Sequence, residues 1–133
     1  MLDVRDLHAF YGKSHILRGV DLTVNAGEIV SLLGRNGVGR STTCKAIMGL
    51  VDPVGSVRYR GKDIAGMPTN QVARAGIGYV PEDRRVFAEL TVWENLHVAT
   101  RAAGRPGRWS IAAVYELFPV LRELRNQIGR AHV

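Results

Sequence analysis

Nine residues decide the fold of this chain, and they read Gly34-Arg35-Asn36-Gly37-Val38-Gly39-Arg40-Ser41-Thr42. An apolar run over 28–33 precedes them and predicts a buried strand that a glycine ends. Residues 41–48 after them predict a helix. A glycine-rich turn between a strand and a helix is typical of a phosphate-binding loop. Its glycines let backbone amides surround an anion, and the helix dipole adds positive potential there.

The candidate ligands of a nucleotide's phosphates are therefore the loop residues, namely Gly34, Arg35, Asn36, Gly37, Val38, Gly39, Arg40, Ser41 and Thr42. The hydroxyl of Ser41 stands where this loop type coordinates a Mg²⁺ that bridges the terminal phosphates.

Arg40 departs from the loop pattern, which has lysine before the Ser/Thr. Lysine is a compact point charge, whereas arginine is a planar fork with a different reach. Arginine can still hold phosphate, but it need not place charge where the transition state develops it. We expect nucleotide binding to be weakened or altered, and the substitution argues against fast hydrolysis.

The residues around the loop predict a mixed α/β section followed by a helical one. Strands are predicted over 2–10, 20–24, 55–61 and 76–81, and a helix opens at Pro68 and runs through Ala75. From residue 91 the pattern is helical. Thr91 and Glu94 form a capping box for a helix that runs to about Ala103, where residues 104–107 break it, and Ser110 can cap another helix.

The composition excludes several classes of protein. The chain has 133 residues, enough for one domain with a real core, and no apolar stretch long enough for a membrane span. The single cysteine, Cys44, cannot form an internal disulfide, and the four histidines lack metal-ligand spacing.

The net charge of +6 lies mostly late in the chain. Residues 1–100 hold 12 basic and 10 acidic side chains, and residues 101–133 hold 6 and 2. Nucleic-acid binding would rest on this charge alone and would require a steeply salt-dependent affinity. We expect no nucleic-acid partner.

Several further motifs accompany the loop, namely Tyr11-Gly12, Gly27-Glu28, 77–82 (IGYVPE) and 90–96 (LTVWENL). Together they resemble the ATP-binding subunits of ABC transporters over roughly residues 2–127. The segments 81–87 (PEDRRVF) and 116–119 (ELFP) are similar, more narrowly, to the ATPases of branched-chain amino acid importers.

The resemblance implies an α/β fold of the P-loop NTPase, ABC type, and in this chain an incomplete one. Residues 1–89 would be the front of the ATPase core and 90–127 the start of the helical subdomain, with 128–133 a tail unlike the family. It implies ATP and Mg²⁺ as cofactors, with Tyr11 stacked on adenine. Glu82 stands where most of the family has glutamine, and it would reach Mg²⁺ together with Ser41. Alternatively, Glu82 is an ordinary exposed loop acid.

The resemblance also implies partners, which are a transmembrane permease and a second ATP-binding subunit, on the cytoplasmic face of the membrane. Residues Val86, Phe87, Leu90 and Trp93 would grip the permease, although a core position suits Trp93 equally well.

The family's later motifs do not occur in this sequence, namely the signature, the Mg²⁺-binding aspartate with the glutamate that activates water, and the histidine loop. Two interpretations stay open. The chain is the front portion of an ATP-hydrolysing transport subunit, or it is a non-hydrolysing nucleotide-binding or interaction fragment. In either case the central sheet would lack strands, and we expect exposed apolar edges.

Overall fold

The computed structural model describes residues 1–83, 85–101 and 109–128. The chain divides into two compact units, Met1–Val80 and Pro81–Val133.

The first unit is built on a four-stranded antiparallel sheet. Its strands are β1 (Leu2–Tyr11), β2 (Ser14–Val24), β3 (Pro53–Tyr59) and β4 (Lys62–Asp63), in the order β2-β1-β3-β4. The predicted strands at 2–10, 20–24 and 55–61 are confirmed, and β2 begins earlier than its alternating part. The two-residue β4 is too short to leave a pattern in the sequence.

Strand β1 is the centre of this unit because it pairs with β2 on one side and β3 on the other. Its side chains Val4, Leu7 and Ala9 are fully buried. A fully buried Val or Leu side chain contributes about 1.5–3 kcal/mol relative to an exposed one. The core therefore forms on one face of β1.

A β-bulge interrupts the alternation of β1 between Val4 and Leu7. Asp6 has a positive φ of 47°, a conformation that aspartate adopts more readily than most residues. Its amide donates a 2.8 Å hydrogen bond to the Asp21 carboxylate. The Asp6 amide is therefore satisfied, and the bulge keeps Val4 and Leu7 on the same face although they are three residues apart.

Gly55 of β3 lies opposite the bulge of β1. Its φ is 119°, and a Cβ there would lie 2.2 Å from the carbonyl oxygen of Asp6. Only glycine allows the two backbones to approach so closely.

Two helices cover the core of the first unit, α1 (Arg40–Ile47) and α2 (Thr69–Ala75). Both were expected from the sequence, and α2 follows Pro68 as predicted. Helix α1 buries Ala46 and Ile47, and α2 buries Val72, in one cluster with the β1 residues. Helix α1 thereby fixes the loop before it to the sheet.

The predictions of buried strands at 28–33 and 76–81 are wrong. Neither segment is a strand, and Ile29, Leu33 and Val80 are 95%, 89% and 91% exposed. Ile77 and Tyr79 alone in these segments pack against the core, and only partly. The physical reason is that a strand needs a partner for its backbone N–H and C=O groups, and neither segment pairs with a strand in the described part of the chain. Both segments expose apolar side chains, but not as the edge of a sheet, which is what we expected from the sequence.

The second unit contains α3 (Val92–Arg101), α4 (Ile111–Leu117) and α5 (Pro119–Glu123). The backbone of residues 91–93 joins that of 125–128, through an antiparallel bridge between Thr91 and Ile128 and a 2.9 Å bond from the Val92 amide to the Gln127 carbonyl. The predicted end of α3 near Ala103 and the break at 104–107 lie outside the described residues.

Both predicted helix caps of the second unit are confirmed. The Thr91 hydroxyl accepts from the Glu94 amide at 3.1 Å, and the Glu94 carboxylate accepts from the Thr91 amide at 2.8 Å. The Thr91 hydroxyl also donates to this carboxylate, at 2.9 Å. The bond from the Thr91 amide, and after it the bond from the Thr91 hydroxyl, hold the pKa of Glu94 below its ordinary value. Ser110 caps α4 by accepting from the Ala113 amide at 3.1 Å.

None of the helices in the described ranges combines the length and apolar character that a membrane crossing requires.

Candidate phosphate-binding loop

The loop reaches α1 through two glycines in the left-handed region. Gly37 has a φ of 80° and Gly39, the residue that caps α1, a φ of 104°. The Val38 amide donates to the Arg35 carbonyl at 3.3 Å, which closes a turn. The Gly39 carbonyl accepts from the amide and the hydroxyl of Thr43, at 2.8 and 2.9 Å, and these bonds start the helix.

Two glycines of the loop are packed too closely to carry a side chain. A Cβ on Gly39 would lie 2.7 Å from Cδ2 of Leu17 in β2, and one on Gly34 would lie 2.6 Å from Cγ1 of Val38. Leu17 is buried in the core. The loop therefore packs against β2, and its curvature depends on glycines at positions 34 and 39.

The start of α1 offers free amide donors. The first amides of a helix have no acceptor within the helix. In the described chain, none of the amides of Arg40, Ser41 and Thr42 is paired with a backbone acceptor. The space beside Gly37 is open, with no atom within 4 Å of the place a Cβ would take. This donor set fits a phosphate group.

The side chains of the loop differ in accessibility. Ser41 is half-buried, and Thr42 is buried at 6% exposure. Ser41 is therefore the more accessible of the two hydroxyls for a metal ion that accompanies the phosphates.

Arg40 turns back along the loop. One of its terminal nitrogens, Nη2, donates to Oδ1 of Asn36 at 2.9 Å. Its Cγ and Cδ atoms lie 3.9 Å from the place a Cβ on Gly34 would take. The guanidinium thus lies over residues 34–36 of the same loop.

Tyr11 lies at the end of the β1–β2 hairpin, opposite Ser14, and is half exposed. Strand β2 connects this end to Leu17, which contacts the loop at Gly39. The three-residue step from Ser14 to Leu17 spans roughly 10 Å along a strand. The exposed Tyr11 ring thus lies at the end of the β1–β2 hairpin, and the loop packs against the second strand of that hairpin.

Glu82, the second predicted Mg²⁺ ligand, lies in an exposed turn of the second unit, whereas Ser41 belongs to the first. No group of three or more His, Cys, Asp or Glu side chains that could hold a metal occurs among the described residues.

Sequence reasoning missed a polar network on the sheet. Nε2 of His8 is hydrogen-bonded to Oδ1 of Asp6, and its Nδ1 to Nε2 of His15, both at 2.9 Å. The His15 ring also stacks on Phe10, with centroids 4.3 Å apart. The period-two spacing of residues 6, 8 and 10 could have indicated that they share one face of a strand. His15 comes beside them only because β2 pairs with β1 in the hairpin.

The predicted permease-gripping residues form a partly exposed apolar surface in the second unit. Val86, Phe87 and Trp93 are exposed, and Leu90 is half-buried. Asn95 holds the Phe87 backbone in place by accepting from its amide at 2.9 Å and donating to its carbonyl at 3.1 Å. Trp93 is 42% exposed, so it does not lie in the core, and its ring stacks on His97 with centroids 4.7 Å apart.

The loop and its flanking elements match a known family. The family model for the ABC transporter matches residues 17–132. The chain belongs to the ABC transporter family. The ABC match covers the loop, α1 and most of the second unit.

Individual members of the ABC family are similar over most of this chain. The high-affinity branched-chain amino acid transport ATP-binding protein BraG of Pseudomonas aeruginosa is 39% identical over 129 residues, 96% of this chain and 55% of its own length. The transporter ATP-binding protein EcsA of Bacillus subtilis is 38% identical over 96% of this chain and 50% of its own length. The lipopolysaccharide export ATP-binding protein LptB of Haemophilus influenzae is 41% identical over 72% of this chain and 40% of its own length.

The fold agrees with solved ABC structures. One ATP-binding subunit of an ABC transporter superposes with a TM-score of 0.74 at 37% identity, over all of this chain and 55% of its own. A nucleotide-free ATP-binding cassette has a TM-score of 0.70 at 24% identity, which concerns the fold alone. The α/β fold of the ABC type is thus confirmed, and the chain spans about half the length of the relatives it matches.

Proposed function

We propose that this chain is the phosphate-binding portion of an ABC transporter's ATP-binding subunit. The observation that carries the proposal is the loop at residues 34–42, which contains three free amides, the open space at Gly37 and the Arg40 cation. The amides and Arg40 would bind the phosphates of ATP, and Ser41 would hold Mg²⁺. Bound Mg²⁺ would neutralise charge on the phosphates.

Tyr11 would add affinity for the base. An exposed aromatic ring can stack on adenine without forming hydrogen bonds to the base. We propose Glu82 as a second ligand of that Mg²⁺.

For transport, we propose import of branched-chain amino acids. Support comes from the similarity to BraG over 96% of this chain, and from the segments at 81–87 and 116–119. The similarity to LptB covers only 72% of this chain, but EcsA matches over 96% at 38% identity, so the proposal depends mainly on the two segments. The partners would be permease subunits at the surface of Val86, Phe87, Leu90 and Trp93 and a second ATP-binding subunit, at the cytoplasmic face of the membrane.

A second candidate function is nucleotide binding without hydrolysis. Arg40 in place of lysine favours it, because a guanidinium need not place its charge where the transition state develops it. Residues 1–89 would then act as a front portion of the core that binds but does not turn over ATP.

Calorimetric titration of the 133-residue chain with MgATP tests the proposal. We expect saturable binding, and Arg40→Ala to weaken it about tenfold or more, because hydrogen bonds to charged groups contribute about 1.5–3 kcal/mol. Arg18→Ala, which removes an exposed arginine on the face of β2 opposite the buried Leu17, is the control and should leave the affinity unchanged. Equal losses in the two variants, or no binding at all, would reject the proposal. A steady phosphate-release assay on the same samples separates binding from hydrolysis.

A further inference from the structure

We propose that Asn36 is a positioning residue for Arg40, and that the pair together replaces the lysine of the phosphate-binding loop. This inference rests on the proposed function, since it names how the loop holds its phosphates. In it, Asn36 fixes the guanidinium over the loop, and Arg40 uses its remaining donors on the phosphate.

The first support is the course of the Arg40 side chain. Its stem passes near Gly34, and its Nη2 ends on Oδ1 of Asn36 at 2.9 Å. An exposed arginine has many rotamers, and a hydrogen bond at its tip selects those that keep the charge at the loop. Asn36 therefore holds the tip of the Arg40 side chain in place. A shorter, more compact cation would not need such a partner.

The second support is the chemistry of the acceptor. A guanidinium has five N–H donors, and the bond to Asn36 uses one of them. The acceptor is a neutral amide, so it leaves the positive charge of Arg40 uncompensated. Across the described ranges of the chain, Arg40 forms no salt bridge with a carboxylate. A guanidinium that is held in place and keeps its positive charge is suited to bind two oxygens of one phosphate.

The proposal makes Asn36 and Arg40 energetically coupled. Lysine is a flexible point charge and does not depend on a fork held in one plane. Loss of the Asn36 amide should therefore matter when residue 40 is arginine and matter little when it is lysine.

A double-mutant cycle measures this coupling. MgATP and, separately, inorganic tripolyphosphate are titrated into the unmodified chain, Asn36→Ala, Arg40→Lys and the double variant. We expect Asn36→Ala to weaken both ligands about fivefold in the unmodified background and less than about twofold in the Arg40→Lys background, as loss of one hydrogen bond implies. Asn36→Gln keeps the acceptor on a longer stem and should recover most of the affinity.

Two controls keep the cycle interpretable. Asn36 and Arg40 are both exposed, so the variants should melt with the unmodified chain in the absence of ligand. Adenosine, which lacks phosphates, should show no dependence on either substitution.

The outcomes separate this inference from the proposed function. If neither the unmodified chain nor Arg40→Lys binds MgATP or tripolyphosphate, the proposed function fails and this inference with it. If Arg40→Lys binds and the unmodified chain does not, only the inference fails. Equal losses from Asn36→Ala in both backgrounds would also overturn it, since Asn36 would then act on the loop and not on Arg40.

Discussion

Strand β1 and residues 28–33 both carry large apolar side chains in the first unit, yet these side chains lie in opposite environments. Leu7 of β1 is fully buried, whereas Leu33 is 89% exposed. Strand β1 lies between β2 and β3, which satisfy its backbone on both sides. In the described chain, residues 28–33 pair with no strand. Apolar composition thus marks a segment that can be buried, and pairing determines whether it is.

The contrast can be tested with two matched leucine substitutions. We expect Leu7→Ala to lower the free energy of unfolding by about 4 kcal/mol, because it leaves a cavity in the core. Leu33→Ala removes the same atoms from an exposed position and should change it by less than about 0.5 kcal/mol. Urea titration followed by circular dichroism gives both values. Similar losses in the two variants would show that residues 28–33 are buried in solution.

A second pair of substitutions tests how tightly β1 is held by its neighbour. Gly55→Ala should cost about 3 kcal/mol, because its Cβ would meet the Asp6 carbonyl of β1 at 2.2 Å and its φ is positive. Gly61→Ala has a positive φ of 80° but open space around it, and should cost only about 1 kcal/mol. The same urea titration measures both. If Gly61→Ala were the more damaging, the close contact of β3 with the bulge would not limit stability.

The smallest effect concerns pH and a carboxylate at the start of β1. Hydrogen bonds to Asp3 from the Arg5 side chain at 2.9 Å and the Thr23 hydroxyl at 3.0 Å hold its pKa below the ordinary 3.8. A depressed carboxyl pKa adds stability that is present above 3.8 and is lost as the pH falls through the folded value. We expect Asp3→Asn to lose less stability than the unmodified chain on acidification from about pH 5 to pH 2.

Thermal melts at several pH values measure that difference. Asp52→Asn is the control, as this carboxylate forms no salt bridge within the described residues. A steeper acid loss in Asp3→Asn than in the control would contradict the assignment.

Local interactions explain what the sequence could predict. Helix starts at Thr91 and Ser110 depend on residues three positions away, and the structure has both caps. The loop at 34–42 and helix α1 were likewise predictable, because glycine spacing and helical periodicity are short-range patterns.

The remainder depended on residues distant in sequence. Whether 28–33 becomes a strand depends on a partner strand, which composition does not reveal. The bulge at Asp6 was not predictable because Asp21 and Gly55 accommodate it from other strands. The bond from Arg40 to Asn36 spans only four residues, but it crosses from a helix into an irregular loop, where no spacing rule applies.

The extra residue that forms the β1 bulge is matched by an extra residue in the neighbouring strand β2. Strand β1 has two residues between Val4 and Leu7 where β2 has one, and β2 has Gly19 where β1 has none between Leu7 and His8. The two extra residues cancel, so Ala9 pairs with Leu17 in the register that Val4 and Leu22 set. Deleting either residue alone would slide one strand against the other, whereas deleting both would preserve the hairpin. Between Val4 and Ala9, a change of length in one strand therefore requires a matching change in the other, and Leu17 stays opposite Ala9 only while the two changes match.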